Sequence, residues 1–440
     1  MHRFNSREAL AVSVTFAVLF SAAVLPVSVG WRISESSFDE TRCYLPAITQ
    51  MRANFPEVDL LRDSLSASPP GYTHLLAALS FVTGDSLPAH RAWHFALSLF
   101  GAIGLLWFVA IVARSTTLAV AALLPTVCSG YYLKNAGQLS TDNLALVLSV
   151  AVTALAMFGA ASCRNAAFAS LLGLCATYFR HVAAWTAAPL FAKGAVLWWT
   201  AERRAPHDRR RVVAWIIASV VVVLPLMVFV WAWGGLVPPR WARAHGSISL
   251  TPLVYCLSLC GLFAPFFLCS AALSRALKFN WRDVLWGALA GLAFFFISDT
   301  SPSYEAGRWG GPLWALADKL PHGEGRSFLF LPVAMLGAVC LAIAVRSLAS
   351  RAPDQAFIWA TAFSAWMLTG IPNRQVFHRY YEGPILAFFG LWLIAVLRGA
   401  GAPSPLARGI LYALSAFLFL SGVYSLFTSV TGFVSPLAGR

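Results

Sequence analysis

Apolar runs of about twenty residues recur along the whole chain, and each is long enough to cross a hydrocarbon core of ~30 Å as a helix. No other feature constrains the fold as much. In lipid the backbone must satisfy its own hydrogen bonds, so only helices or a closed barrel can span. The alternating pattern of barrel strands is absent. Hydrophobic residues make up 59% of the chain and charged residues 11%, against roughly 45–50% and 25% in soluble domains. The expectation is an all-α integral membrane protein, with residues 1–440 forming one polytopic transmembrane domain and no sizeable soluble part.

Spans are expected near 9–30, 92–113, 117–133, 143–161, 166–180, 183–199, 212–233, 252–273, 283–298, 328–346, 356–371, 384–397 and 409–431, about thirteen in all. The first is too long for the core of a signal peptide, which is about 7–15 residues, and reads as retained. Tyr72 to Val82 is apolar but too short to cross, and reads as an interfacial helix in the first outer loop.

The net charge of +14 suggests nucleic acid only until the charges are placed. Starting from an inside N-terminus with Arg3 and Arg7, alternation puts Arg114, Arg164, the cluster Arg203, Arg204, Arg209, Arg210 and Arg211, then Arg275, Lys278, Arg282, Arg346, Arg351, Arg398 and Arg408 in short inside loops. That is the positive-inside pattern. Counting Tyr72 to Val82 as a crossing would turn the five-arginine cluster outward. The longer loops, 31–91, 134–142, 234–251, 299–327 and 372–383, all fall outside, and chemistry is expected there. Only Cys43 lies in a long outer loop, so no disulfide scaffold is expected.

Each outer candidate has a bland counterpart. Phe38-Asp39-Glu40 is a base or cation site, or two solvated acids. Ser68-Pro69-Pro70-Gly71-Tyr72 is a plain turn. In Lys134 to Asp142, reading KNAGQLSTD, Asp142 is functional or belongs to a helix cap with Ser140 or Thr141. Arg180 in Phe179-Arg180-His181 clamps phosphate or snorkels to the interface. His378-Arg379-Tyr380-Tyr381-Glu382, after Pro372-Asn373-Arg374, is a phosphate or sugar site or an aromatic belt. In 299–327, Asp299, Glu305, Arg308, Trp309, Trp314, Asp318 and His322 suit carbohydrate or any interfacial helix. His245 and His322 read as solvated. No paired-His or Cys-x-x-Cys metal spacing, nucleotide-binding glycine motif or nucleophile elbow is present.

In this order the segments resemble the GT-C superfamily of membrane glycosyltransferases, on FDETRCYLPAI and SPPGYTHLLAALSFVTGDSLPAHRAW. Within it, three places are similar to the α-1,2-glucosyltransferase that completes the dolichol-linked oligosaccharide. Asp39-Glu40 with Tyr44-Leu45-Pro46 resembles its acidic opening. GLCATYFRHVAAW, with Arg180 and Trp185, resembles its span ending in Phe-Arg-Gln-Thr-Asn, although His181-Val182-Ala183 replaces the last three residues. IPNRQVFHRYYEGPIL resembles its closing motif through Arg379, Tyr380 and Pro384. HGSISLTPLVY is a faint echo of a His-rich family segment.

The resemblance implies a GT-C-like fold and an inverting transfer of a hexose from a polyprenyl-phosphate-sugar donor to a lipid-linked or glycan acceptor on the outer or lumenal face. It implies Asp39 as general base, Glu40 and Asp142 orienting the acceptor or a divalent cation, Arg180, Arg379 and Lys134 on the donor phosphate, and Tyr380 and Trp185 against sugar or lipid. No cofactor beyond that cation is implied, and the partners are membrane lipids and lipid-linked sugars, not nucleic acid. Arginine far outnumbers lysine, which favours a bacterial inner membrane and a periplasmic site over an endoplasmic reticulum membrane. The competing class is a lipid-linked-sugar flippase or transporter, which would carry ionisable groups in mid-membrane.

Overall fold

The structure is a computed structural model that describes residues 6–28, 39–63, 65–201, 209–245, 247–303, 307–308, 310–373, 375–398 and 403–430. Phe38, Arg203, Arg204, Glu305, Trp309 and Arg374 lie outside the described residues. The described residues are helical nearly throughout. Helix α1 (Ser6–Ser28) precedes a π-helical turn, Glu40–Tyr44, that runs into α2 (Leu45–Asn54). There follow α3 (Gly71–Thr83), α4 (Leu87–Ala113), α5 (Thr116–Val127), α6 (Gly130–Ala136), α7 (Asp142–Phe158), α8 (Cys163–Phe179), α9 (Ala187–Ala201) and α10 (Arg209–Trp233). The rest is α11 (Ala242–His245), α12 (Thr251–Leu273), α13 (Trp281–Ile297), α14 (Pro312–Lys319), the hairpin β1 (His322–Gly323) and β2 (Arg326–Ser327), α15 (Phe330–Ala349), α16 (Pro353–Thr369), α17 (Glu382–Leu397) and α18 (Pro405–Val430).

Among the described residues seven helices are long and apolar enough to cross a membrane, or eight if α5 and α6 count as one bent span. Length and composition therefore support fewer crossings than the thirteen expected. The segments expected near 143–161, 166–180, 183–199, 283–298 and 356–371 are helices of 15 to 17 residues, or about 22–26 Å at 1.5 Å per residue. The short helix expected near 72–82 is present as α3, 13 residues long. Arg209, Arg210 and Arg211 form the first turn of α10 rather than a loop.

Local chemistry explains the boundaries that matter for function. Pro125 sits near the end of α5 and the axis bends by 68° before α6, where Ser129 restarts the helix by accepting from the Tyr132 N–H. The expected 117–133 span is thus broken, and part of the polar 134–142 loop is helical. Helix α8 starts at a Ser162 cap and stops at Arg180, whose backbone is extended. Helix α17 is buried on every side, as a central bundle helix must be. Beside it α12 packs on α15, and α15 on α13, through glycines. A Cβ on Gly337 would collide with the Leu257 carbonyl, and one on Gly291 would lie 2.6 Å from the Met335 Cα, which is the small-residue packing that membrane helices use.

The two ends of the bundle differ. At one end Arg351 donates to the Arg275 and Ala276 carbonyls, Arg346 pairs with Asp283, and Arg408 pairs with Glu8. At the other, the start of α7, the end of α8 and the start of α17 come together beneath the first loop.

Candidate active site

Asp39, Asp142, Arg180 and Arg379 meet at that second end. Asp39 stands just before the π-helical turn, a distortion that is frequent at functional sites. Its carboxylate accepts from Arg379 Nη1 at 2.9 Å, across 340 residues of sequence. Arg379 Nε lies 4.0 Å from the Asp142 carboxylate and makes no hydrogen bond of its own. Asp142 pairs with Arg180 through its other oxygen. The Tyr380 ring sits under both guanidiniums, at 4.5 Å from Arg180 and 5.2 Å from Arg379. Two acids and two arginines alternate over one aromatic ring, so their charges balance and both guanidiniums keep a shaped, partly desolvated position.

These groups ring a cavity of about 110 Å³ lined by Asp142, Arg180, Trp185, Arg379, Tyr380 and residues below them. Asp39 reaches its rim through Arg379. Asp142 is the first residue of α7. The expected cap is only partial: Ser140 Oγ accepts the Asp142 N–H at 3.1 Å, while Thr141 makes no capping bond. Asp142 therefore keeps its carboxylate for the arginines and for Asn135, whose amide donates at 3.4 Å.

Glu40 is not brought to the cavity. It is fully buried and binds Arg91 in bidentate fashion, at 2.8 and 2.6 Å, while one of its oxygens also accepts the Leu139 N–H at 2.9 Å. The adjacent acids of the sequence thus point to different tasks: Asp39 to the cavity, Glu40 to the joint between the first loop, α4 and the segment before α7. Lys134 lies in the last turn of α6, half-buried and off the cavity wall, although Tyr131 and Asn135 of the same helix line it.

The segment 378–382 is also divided. Arg379, Tyr380 and Tyr381 line the cavity. His378 and Glu382 turn into the bundle, where His378 bonds the Tyr255 hydroxyl at 2.7 Å and the Glu382 carboxylate at 3.1 Å, and Glu382 accepts the Gly130 N–H at 3.0 Å. This network ties α12, the start of α6 and α17 together behind Arg379. Another buried chain, Tyr72 hydroxyl to His94 to the Asn135 carbonyl, with links of 2.9 and 2.7 Å, supports the cavity from α3 and α4.

His245 is half-buried rather than solvated. It bonds Asn373 at 3.3 Å near the mouth, and burial pushes its imidazole below the usual value. Loop 299–327 lies to one side: Asp299 pairs with Arg308 at 2.7 Å and Trp314 donates to the Val376 carbonyl. It braces the segment that leads to Arg379. Trp366, Asn143, Ser149 and Tyr131 line the cavity too. Inside apolar spans they carry no signal that separates them from core and belt residues. No group of three metal-ligating side chains occurs among the described residues.

No protein-family model matches the chain, and no curated protein matches its sequence. Solved structures do. The chain is similar to the archaeal oligosaccharyltransferase AglB from Archaeoglobus fulgidus, solved with an inhibitory peptide and a dolichol-phosphate, with a TM-score of 0.50 and 14% identity over 97% of this chain and 56% of that one. The chain spans little more than half of AglB, so the likeness is one of fold. ArnT from Cupriavidus metallidurans, bound to undecaprenyl phosphate and in the apo state, is matched over 88% of this chain with TM-scores of 0.38 and 0.37 at 13% and 14% identity. Those values are too low to carry an argument. The narrower resemblance to the α-1,2-glucosyltransferase rests on the sequence motifs alone.

Proposed function

We propose that the chain is an inverting membrane glycosyltransferase that moves a hexose from a polyprenyl-phosphate donor to an acceptor hydroxyl. The observation that carries this reading is the meeting of Asp39, Asp142, Arg180 and Arg379 at one cavity. The reaction needs a base at the acceptor hydroxyl and cations on the departing phosphate. Asp39 takes the acceptor proton as the oxygen attacks the anomeric carbon, and the carbon–oxygen bond to phosphate breaks. Arg379 and Arg180 hold the polyprenyl phosphate that leaves, with Lys134 as a more distant cation and Asp142 fixing both guanidiniums. In the present arrangement Arg379 is bound to Asp39. The donor phosphate competes for the same guanidinium and so frees the Asp39 carboxylate for the acceptor.

The short arginine-rich loops at the opposite end favour an outward-facing site, periplasmic if the membrane is a bacterial inner one. The paired acids and arginines cluster at one mouth, whereas a transporter would carry ionisable groups in mid-membrane. The test is to incubate membranes containing the protein with radiolabelled polyprenyl-phosphate sugars. Label appearing in a new glycan or lipid-linked product, and lost in Arg379→Ala, supports transfer. Label crossing the bilayer with its sugar–phosphate bond intact would overturn it in favour of a flippase.

A further inference from the structure

A second cavity, of about 960 Å³, lies outside the site already described. It is a groove between α13 and α16, with α15 as its floor and the first turns of α12 at its far end. Helix α16 divides the two cavities. Ser364, Met367 and Leu368 line the groove, whereas Trp366, Thr369 and Gly370 line the cavity at Arg379. The groove wall is mostly apolar, and both of its charges, Asp283 and Arg346, sit at the end away from Arg379.

Size, depth and charge narrow the occupant. The volume is near the top of the range of about 300–1,000 Å³ for small-molecule sites. Along α15 the lining runs from Ala338 to Ser350, about 18 Å at 1.5 Å per residue. One leaflet of a ~30 Å hydrocarbon core is about 15 Å deep, so the groove has the length of a lipid chain. Trp281 and Trp286 are exposed at the charged end, as tryptophans are at headgroup level.

That end is basic. Arg351 donates to the Arg275 and Ala276 carbonyls, and the Lys278 backbone bonds the Ser347 hydroxyl, which brings the two connections together. Of Arg275, Lys278, Arg282, Arg346 and Arg351, only Arg346 pairs with an acid among the described residues. Its Nε lies 2.5 Å from Asp283, yet 43% of its side chain is exposed. A guanidinium has five N–H donors, so Arg346 can bind a further oxygen. An apolar groove one leaflet deep, with spare cationic donors at headgroup level, suits a lipid with a negative headgroup.

We propose that this groove binds an anionic phospholipid of the inner leaflet, with its phosphate at Arg346 and its chains along α15. The lipid fills the gap between α13 and α16 and supports α16, whose other face lines the cavity at Arg379. The site is separate from that of the polyprenyl phosphate, and it stands whether or not the chain is a transferase.

The experiment titrates delipidated protein in detergent with phosphatidylglycerol, or with phosphatidylcholine of the same chains, and counts bound lipid by native mass spectrometry. The wild type should prefer phosphatidylglycerol by at least about tenfold. The double variant Asp283→Asn/Arg346→Gln removes the ion pair without changing net charge or leaving a lone charge. It should weaken phosphatidylglycerol about five- to tenfold, the worth of one basic residue at an anionic headgroup, and leave phosphatidylcholine within about twofold. Ala342→Phe puts a ring in the groove floor and should abolish the tight binding. A lipid-free unfolding midpoint close to that of wild type shows that each variant is folded, and the wild-type preference needs no variant.

Equal affinity for the two lipids, or unchanged phosphatidylglycerol binding in either variant, would overturn the proposal. So would displacement of phosphatidylglycerol by equimolar undecaprenyl phosphate, which would give the groove to the carrier.

Discussion

Glu40→Ala separates two roles for a residue that the sequence places beside the proposed base. Glu40 is fully buried and Arg91 is 4% exposed, with two short hydrogen bonds between them and a third from the Leu139 N–H. Removing the carboxylate strands a buried guanidinium, which costs about 3–5 kcal/mol. The orphaned Leu139 N–H adds about 1–3 kcal/mol. Against a typical stability of about 5–15 kcal/mol, that is a large share. The assay is the unfolding midpoint in detergent, with Arg91→Met and the double variant completing the cycle. Either single change should lower the midpoint strongly. The double variant should recover most of it, because no lone charge then remains. Equal midpoints for Glu40→Ala and wild type, with transfer abolished, would refute the structural assignment and return Glu40 to acceptor or cation binding.

Other consequences are open to measurement. Arg379→Ala should raise the donor KM more than the acceptor KM, and equal effects would remove it from the phosphate. Tyr380→Leu takes away the ring beneath Arg180 and Arg379. It should weaken carrier binding by about 1–2 kcal/mol, read by calorimetry, and no change would mean that the ring is a bystander. Gly291→Leu should destabilise the α13–α15 contact by about 1–3 kcal/mol, seen as a lower unfolding midpoint with carrier binding intact. For Asp63, burial alone would raise the carboxyl, but Arg62, the Asp59 N–H and Gln50 hold it below its usual value. A depressed carboxyl gives stability above its unfolded pKa of about 3.9 and loses it as the pH falls through the lower folded value. Asp63→Asn should therefore lower the midpoint at pH 7 and the difference should shrink below about pH 3.5. A gap that persists in acid would point to a packing effect.

The helical membrane class was legible because a hydrophobic run states its own length. The short helix α3 was legible for the same reason. Crossing number was less so, since α7, α8, α9, α13 and α16 are apolar but only 15 to 17 residues long. The break between α5 and α6 was missed because Pro125 can sit inside a membrane helix without ending it. Within the site, residue type and order pointed to Asp39, Asp142, Arg180 and Arg379. Pairing was not legible. Nothing local tells Asp39 that its partner is 340 residues away, or Glu40 that Arg91 waits 51 residues on. Neighbours in sequence also parted: Asp39 from Glu40, and Arg379 from His378. On a helical turn adjacent residues face different ways, and only the packed bundle decides which way is inward.

The central claim is that Asp39 is the base of a glycosyl transfer whose leaving phosphate lies at Arg379. Its most direct test is Asp39→Asn in purified, folded protein, with transfer and carrier binding measured on the same sample. The expected result is a loss of about 10²–10⁴ in turnover, with bare undecaprenyl phosphate still bound at least as tightly, since the phosphate no longer competes with a carboxylate for Arg379. Near-normal turnover by Asp39→Asn would contradict the account.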